Sequence, residues 1–106
     1  MISEYTSQRI YLEDSQVMLH GVIPANSSIL SIIVEVFNTA TGTVTLQTEQ
    51  VDSVYVKRIL YLDDITAAGI YSGDSAKDYF KSAQNMNVKI TGGLEIQIKI
   101  LFWEAS

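Results

Sequence analysis

An alternation of apolar residues at every second position, near the C-terminus, constrains the fold of this chain more than any other feature. The residues that alternate are Leu94, Ile96, Ile98, Ile100 and Phe102. Successive side chains of a β-strand point to opposite faces, whereas one face of a helix recurs every 3.6 residues. Residues 94–103 are therefore predicted to form a strand with one buried face.

The residues before this strand predict a hairpin. Val88 and Ile90 alternate with polar residues, and the pair Gly92-Gly93 separates the two runs. Glycine adopts the positive φ that two-residue hairpin turns need. We therefore expect the strand around 88–90 to pair directly with the strand over 94–103.

Further alternation predicts the remaining strands of a small all-β domain. They fall at about 10–12, 17–23, 29–37, 43–47 and 54–62. Gly21 suggests a bulge in the second of these strands, and Pro24 ends it because proline has no N–H for a ladder. Short strands separated by turn residues favour one antiparallel β-sandwich of jelly-roll type spanning residues 1–106.

The pattern breaks down over about 63–87, where we expect a short helical or irregular arm. Asp63 and Asp64 can accept hydrogen bonds from the free N–H groups of a helical turn, which Gly69 would end. A second short helix is predicted within 74–83, with Tyr79 and Phe80 packed on the domain.

Composition and charge exclude several classes of function. Seven Lys and Arg against 12 Asp and Glu give a net charge of −5, which argues against a nucleic-acid partner. Apolar runs are no longer than four residues, so no membrane span is expected. Without cysteine and with His20 as the single histidine, we expect no metal, no cofactor and no enzymatic activity. No secretory signal is evident, so synthesis in a cytoplasm is expected.

Two groups of residues nevertheless suggest possible sites. Asp63 and Asp64, with Asp52 and Asp74 near them in sequence, offer oxygen ligands for Ca²⁺, although solvated acids at a turn are the simpler interpretation. A carbohydrate-binding module that stacks sugars on aromatic rings is the alternative function. Its candidate residues are Tyr55, Tyr61, Tyr71 and Trp103.

Two of the predicted strands carry large apolar residues on both faces. The expected core centres on Leu30, Ile32, Val34, Ile96, Ile98 and Ile100. Ile29 and four further apolar residues would then point outward, two on each strand. Those four make up the predicted interface: Ile33, Phe37, Leu101 and Trp103. Clustered outward apolar residues mark contact surfaces, either against neighbouring subunits or beneath the chain's own 63–87 arm.

Four sequence elements follow one another in a fixed order between residues 17 and 103. A strand ending in Ile-Pro is followed by a β-rich run over 22–36, and a Gly-containing turn precedes a Thr/Leu strand over 41–46. An Ala-Gly-Ile-Tyr element lies at 68–71, and a Thr-Gly-Gly turn precedes the last strand. This order resembles that of small structural proteins of tailed bacteriophages, and the likeness covers about 17–103. The charged, Tyr-containing segment 71–87 departs from the pattern.

The resemblance implies a non-enzymatic virion structural protein, either a capsid decoration or cement protein or a fibre or knob subunit. It implies a homotrimer that contacts other virion proteins, such as the major capsid protein, and resides in the virion after synthesis in the host cytoplasm. It carries over no catalytic residues. A small hydrolase is a third and weaker interpretation, since no pair of carboxylates across a cleft is indicated by the sequence.

Overall fold

The computed structural model describes residues 1–49, 56–73 and 79–105. These residues form ten β-strands and no helix. In chain order the strands are β1 (Ile2–Thr6), β2 (Ile10–Leu12), β3 (Ser15–Ile23), β4 (Ser27–Val36), β5 (Gly42–Glu49), β6 (Val56–Ile65), β7 (Gly69–Gly73), β8 (Tyr79–Phe80), β9 (Gln84–Ile90) and β10 (Leu94–Glu104).

The strands form two sheets that pack face to face as a β-sandwich. The first sheet has the order β1-β10-β4-β7, with β2 also pairing with β10 and β8 with β4. The second sheet has the order β3-β9-β5-β6. All of these pairs are antiparallel, and most connections cross from one sheet to the other, as they do in jelly rolls.

The core lies between the sheets and confirms most of the residues predicted from alternation. Ile32, Val34, Ile96, Ile98 and Ile100 are all buried. From the second sheet, Val44, Leu46, Met86, Val88 and Ile90 complete this layer. The all-β sandwich predicted from the sequence is therefore the observed fold.

The predicted hairpin between β9 and β10 is wrong. Gly92 and Gly93 do adopt positive φ, at 80° and 72°, but β9 lies in the second sheet and β10 in the first. Both edges of β9 are occupied, by β3 and β5, so β10 cannot pair with it. Alternation shows only that each strand buries one face. Strands that pair within one sheet and strands that face each other from opposite sheets both have this pattern.

The orientation predicted for Leu30 and Ile29 is also wrong. Along β4 the register with β10 shifts, because Leu101 is opposite Ser31 while Phe102 is opposite Ile29. Leu30 is thus an extra residue in a β-bulge, which reverses the alternation on its N-terminal side. Ile29 is 2% exposed and belongs to the core, whereas Leu30 is 50% exposed on the outer face.

The arm over 63–87, predicted to be helical or irregular, contains no helix among the described residues; it is mostly strand, with bends at 67–68 and 81–82. β6 continues through Asp63 and Asp64 to Ile65, and β7 begins at Gly69. β7 and β8 both pair with β4, because that edge of the first sheet would otherwise lack partners. Part of the second predicted helix, residues 74–78, lies outside the described residues. β1 was not predicted, since only two of its five residues, Ile2 and Tyr5, are apolar or aromatic and they do not alternate.

Candidate functional site

The outer face of the first sheet is the candidate functional surface, and the strand register gives its layout. Across β1, β10, β4 and β8, one row contains Ile2, Trp103, Ser28 and Tyr79. The next row contains Glu4, Leu101 and Ser31, with Leu30 added by the bulge. Beyond these rows lie Thr6, Lys99, Ile33 and Ser72, and then Gln97, Glu35 and Ile70.

Exposed apolar side chains are concentrated on this face. Of the eight large hydrophobic residues that are exposed in the described part of the chain, six belong to it: Ile2, Tyr11, Leu30, Ile70, Tyr79 and Trp103. We use the name outer patch for the cluster at one end of the face, which consists of Ile2, Leu30, Tyr79, Leu101 and Trp103. Contiguous apolar surface of roughly a few hundred Å² is typical of contact sites.

The outer face of the second sheet is polar by contrast. The amide of Asn87, on the central strand β9, donates hydrogen bonds to Oε1 of Gln16 at 3.0 Å and to Oε1 of Gln47 at 3.1 Å. The hydroxyls of Thr43 and Thr91 are hydrogen-bonded at 2.8 Å. Polar side chains of this kind are suited to water, so the two sides of the sandwich differ in character.

A shallow depression adjoins the outer patch. Its volume is about 250 Å³, and it is lined by Thr6, Ile33, Glu35, Ile70, Gln97 and Lys99. Lys99 Nζ lies 3.7 Å from Oε1 of Glu4, and both side chains are about half exposed. An ion pair of this kind contributes little to stability, so both groups can take other partners on this face.

The structure brings together three of the four predicted interface residues. Leu101 and Trp103 lie in the outer patch, and Ile33 lies one row away, opposite Lys99. Phe37 follows the far end of β4, roughly 30 Å from Trp103 along the strand direction. Its ring is half-buried, with the guanidinium carbon of Arg9 3.8 Å from the ring centroid.

The aromatic residues considered for sugar stacking do not converge among the described residues. Trp103 is on the outer face of the first sheet, whereas Tyr61 is on that of the second, with the Arg58 guanidinium 4.9 Å from its ring centroid. Tyr71 packs against the core, and its hydroxyl donates a hydrogen bond to the Ala67 carbonyl at 2.7 Å. Tyr55 lies outside the described residues.

The other candidate chemistries gain no geometric support. Residues 1–49, 56–73 and 79–105 contain no group of three His, Cys, Asp or Glu side chains placed to hold a metal ion. Asp63 and Asp64 are exposed on the edge strand β6, and Asp52 and Asp74 lie outside the described residues. His20 is exposed on β3. In the same part of the chain, no helix is long and apolar enough to cross a membrane.

Three members of the outer patch were not predicted from the sequence. Ile2 belongs to the unpredicted strand β1, and Tyr79 was expected in a helix that packs on the domain. Leu30 was expected in the core. An adjacent pair of large apolar residues, such as Ile29 and Leu30, is the one signal that permits a bulge, because one of the two must leave the buried face.

Comparison with known proteins adds no relative. The chain matches no protein-family model, and a search of curated proteins finds no match.

Proposed function

We propose that this protein is a non-enzymatic structural subunit that binds further copies of itself through the outer patch. The difference between the two outer faces carries the proposal. One face is mainly polar, with a hydrogen-bonded group of Asn87, Gln16 and Gln47. The other exposes Ile2, Leu30 and Trp103 on three neighbouring strands. Burial of such side chains is worth about 25 cal/mol per Å² of apolar area, so the outer patch favours association.

The dimensions of the first sheet favour another folded chain as the occupant. β10 has eleven residues, which corresponds to a length of about 36 Å, and four strands span about 19 Å. The face therefore offers roughly 700 Å², close to the ~800 Å² that each partner buries in a stable protein contact. A small ligand would instead need a deeper and more enclosed pocket than the depression beside the patch.

The number of copies and the biological setting are proposed from the resemblance to phage structural proteins over 17–103. In that setting the subunit is a homotrimer of a virion, as a capsid decoration, cement, fibre or knob protein. Cyclic symmetry closes such contacts without open-ended growth. Other virion proteins, such as the major capsid protein, are then further partners, and the protein is located in the virion after synthesis in the host cytoplasm.

The contact is tested by removing apolar side chains from the outer patch. We expect Leu30→Ser with Trp103→Ser to convert an oligomer into an 11.8 kDa monomer with an unchanged far-UV circular dichroism spectrum, measured by light scattering after size exclusion. Met18→Ser is the matched control, because Met18 lies opposite Asn87 on the polar outer face. A double variant that keeps the wild-type mass at low micromolar concentration would show that the patch is not the contact.

The virion setting requires a separate experiment. Mass spectrometry of purified phage particles from a host that makes the protein is expected to find it at a fixed ratio to the major capsid protein. Its absence from the particles would contradict the virion proposal while leaving self-association through the outer patch intact.

A further inference from the structure

The free edge of the second sheet is a surface distinct from the outer patch. β6 is the last strand in the order β3-β9-β5-β6, and β5 is the one strand that pairs with it among the described residues. An edge strand presents unpaired N–H and C=O groups along its free side, and another extended strand can bind there by continuing the sheet.

The charges of β6 have opposite signs at its two ends. Arg58 is near its start and Asp63 near its end, and both side chains are exposed. Arg58 lies opposite Gln47 and Tyr61 opposite Thr45, so both point to the polar outer face. Because Ile59 is an extra residue at a register shift, Asp63 shares that face with Arg58 and Tyr61.

This arrangement is complementary to itself. Suppose that two copies of β6 pair in antiparallel fashion around a two-fold axis at Tyr61. Because Ile59 is an extra residue, Arg58 and Asp63 each lie two pairing positions from Tyr61. Arg58 of each copy is then opposite Asp63 of the other, and the two Tyr61 rings meet at the axis. Side chains directly opposite each other in an antiparallel pair share a face, and opposite charges and aromatic pairs stabilise such positions.

We infer that the β6 edge is a second, two-fold contact at which another copy of this chain continues the second sheet. An edge strand that carries charges of one sign repels a second copy of itself. β6 carries charges of opposite sign at its two ends, so it attracts a second copy. The other edge of the same sheet, β3, carries no Lys, Arg, Asp or Glu, and its register shifts around Gly21. The contact does not depend on the outer patch.

Charge exchange tests the pairing in a background where the patch cannot act, the Leu30→Ser, Trp103→Ser variant. Sedimentation velocity from micromolar to millimolar concentration is expected to show a monomer–dimer equilibrium. Arg58→Asp alone, or Asp63→Arg alone, should weaken dimerisation roughly tenfold, and the combined exchange should restore it to within about threefold. Lys89→Asp, on the exposed outer face of the central strand β9, is the control that should change nothing.

If the combined exchange restores dimerisation, the two charges must interact between copies rather than within one chain. Within a single chain Arg58 and Asp63 are roughly 15 Å apart along the strand, beyond the ~10 Å range of screened charges at moderate salt. Their coupling must therefore arise between copies. Dimerisation that is unchanged in both Arg58→Asp and Asp63→Arg, or a monomer at every concentration, would overturn the edge contact and leave the outer-patch proposal standing.

Cross-linking tests the position of the axis. The chain has no cysteine, so Tyr61→Cys introduces one thiol, which would face its symmetry mate at a Cβ–Cβ distance of about 4.5–5.5 Å, close to disulfide geometry. Under mild oxidation this variant is expected to form a disulfide-linked dimer faster than Lys89→Cys does. Equal rates for the two variants would refute the axis at Tyr61. If the outer patch were not a contact, the expected results of the charge exchange and of the cross-linking would stay the same.

Discussion

The bulge in β4 makes neighbouring residues of equal size respond in opposite ways to the same substitution. Ile29→Ala removes three carbons from a side chain that is 2% exposed. At about 0.8 kcal/mol for each buried CH₂, and with a cavity left between the sheets, we expect the free energy of unfolding to fall by about 3 kcal/mol. Leu30→Ala removes the same carbons from a half-exposed side chain that fills no cavity, so its cost should be about 1 kcal/mol.

Urea denaturation followed by far-UV circular dichroism measures both effects. It should be done at a protein concentration low enough to separate the copies, because self-association through the outer patch would add to the apparent stability. Melting provides a second measurement, with a decrease of about 12 °C or more expected for Ile29→Ala and less than about 8 °C for Leu30→Ala. Equal losses, or a larger loss for Leu30→Ala, would refute the bulge and the outward position of Leu30.

Three further predictions concern single positions. In urea denaturation, Gly92→Ala should destabilise the protein by more than about 2 kcal/mol, since a Cβ there collides with the Thr41 carbonyl oxygen. Gly93→Ala has room beside the Tyr11 hydroxyl and should cost only about 1 kcal/mol for its positive φ. Equal costs for the two substitutions would contradict this prediction. Ser7→Ala should lower the free energy of unfolding by about 1–3 kcal/mol, because the buried Ile98 N–H donates a hydrogen bond to Ser7 Oγ at 2.9 Å. Ser72 is exposed, so Ser72→Ala is the control, and an equal loss in the two variants would contradict the prediction. Burial raises the pKa of Tyr5 above its usual 10.0, so the contribution of Tyr5 to stability is complete below pH 10.0 and is lost as the pH rises through the folded pKa. Tyr5→Phe should therefore reduce the difference in unfolding free energy between about pH 9 and about pH 11. An undiminished difference would exclude Tyr5 as the cause.

The sequence predicted the buried faces well because alternation is a local property. Ile32, Val34, Ile96, Ile98 and Ile100 lie in the core as expected. Pairing is not local, so Gly92 and Gly93 suggested a hairpin where the chain instead crosses between sheets. The turn chemistry is the same in both cases, and only the occupied edges of β9 decide between them.

The outer patch was only partly predictable for a related reason. Leu101 and Trp103 are evident from the alternation of β10, whose other face is buried. Leu30 is outward only because of the bulge, which depends on the register with β10. Ile2 and Tyr79 join the patch from opposite edges of the sheet, and their neighbourhood with Trp103 arises only when β1 and β8 pair with the central strands.

The central claim is that the outer patch joins copies of this chain, and the mass of the wild-type protein in solution tests it most directly. Sedimentation equilibrium at micromolar concentration is expected to give three times the 11.8 kDa chain mass, or a multiple of that value where the β6 edge also pairs. A mass of 11.8 kDa throughout the micromolar range would contradict the account.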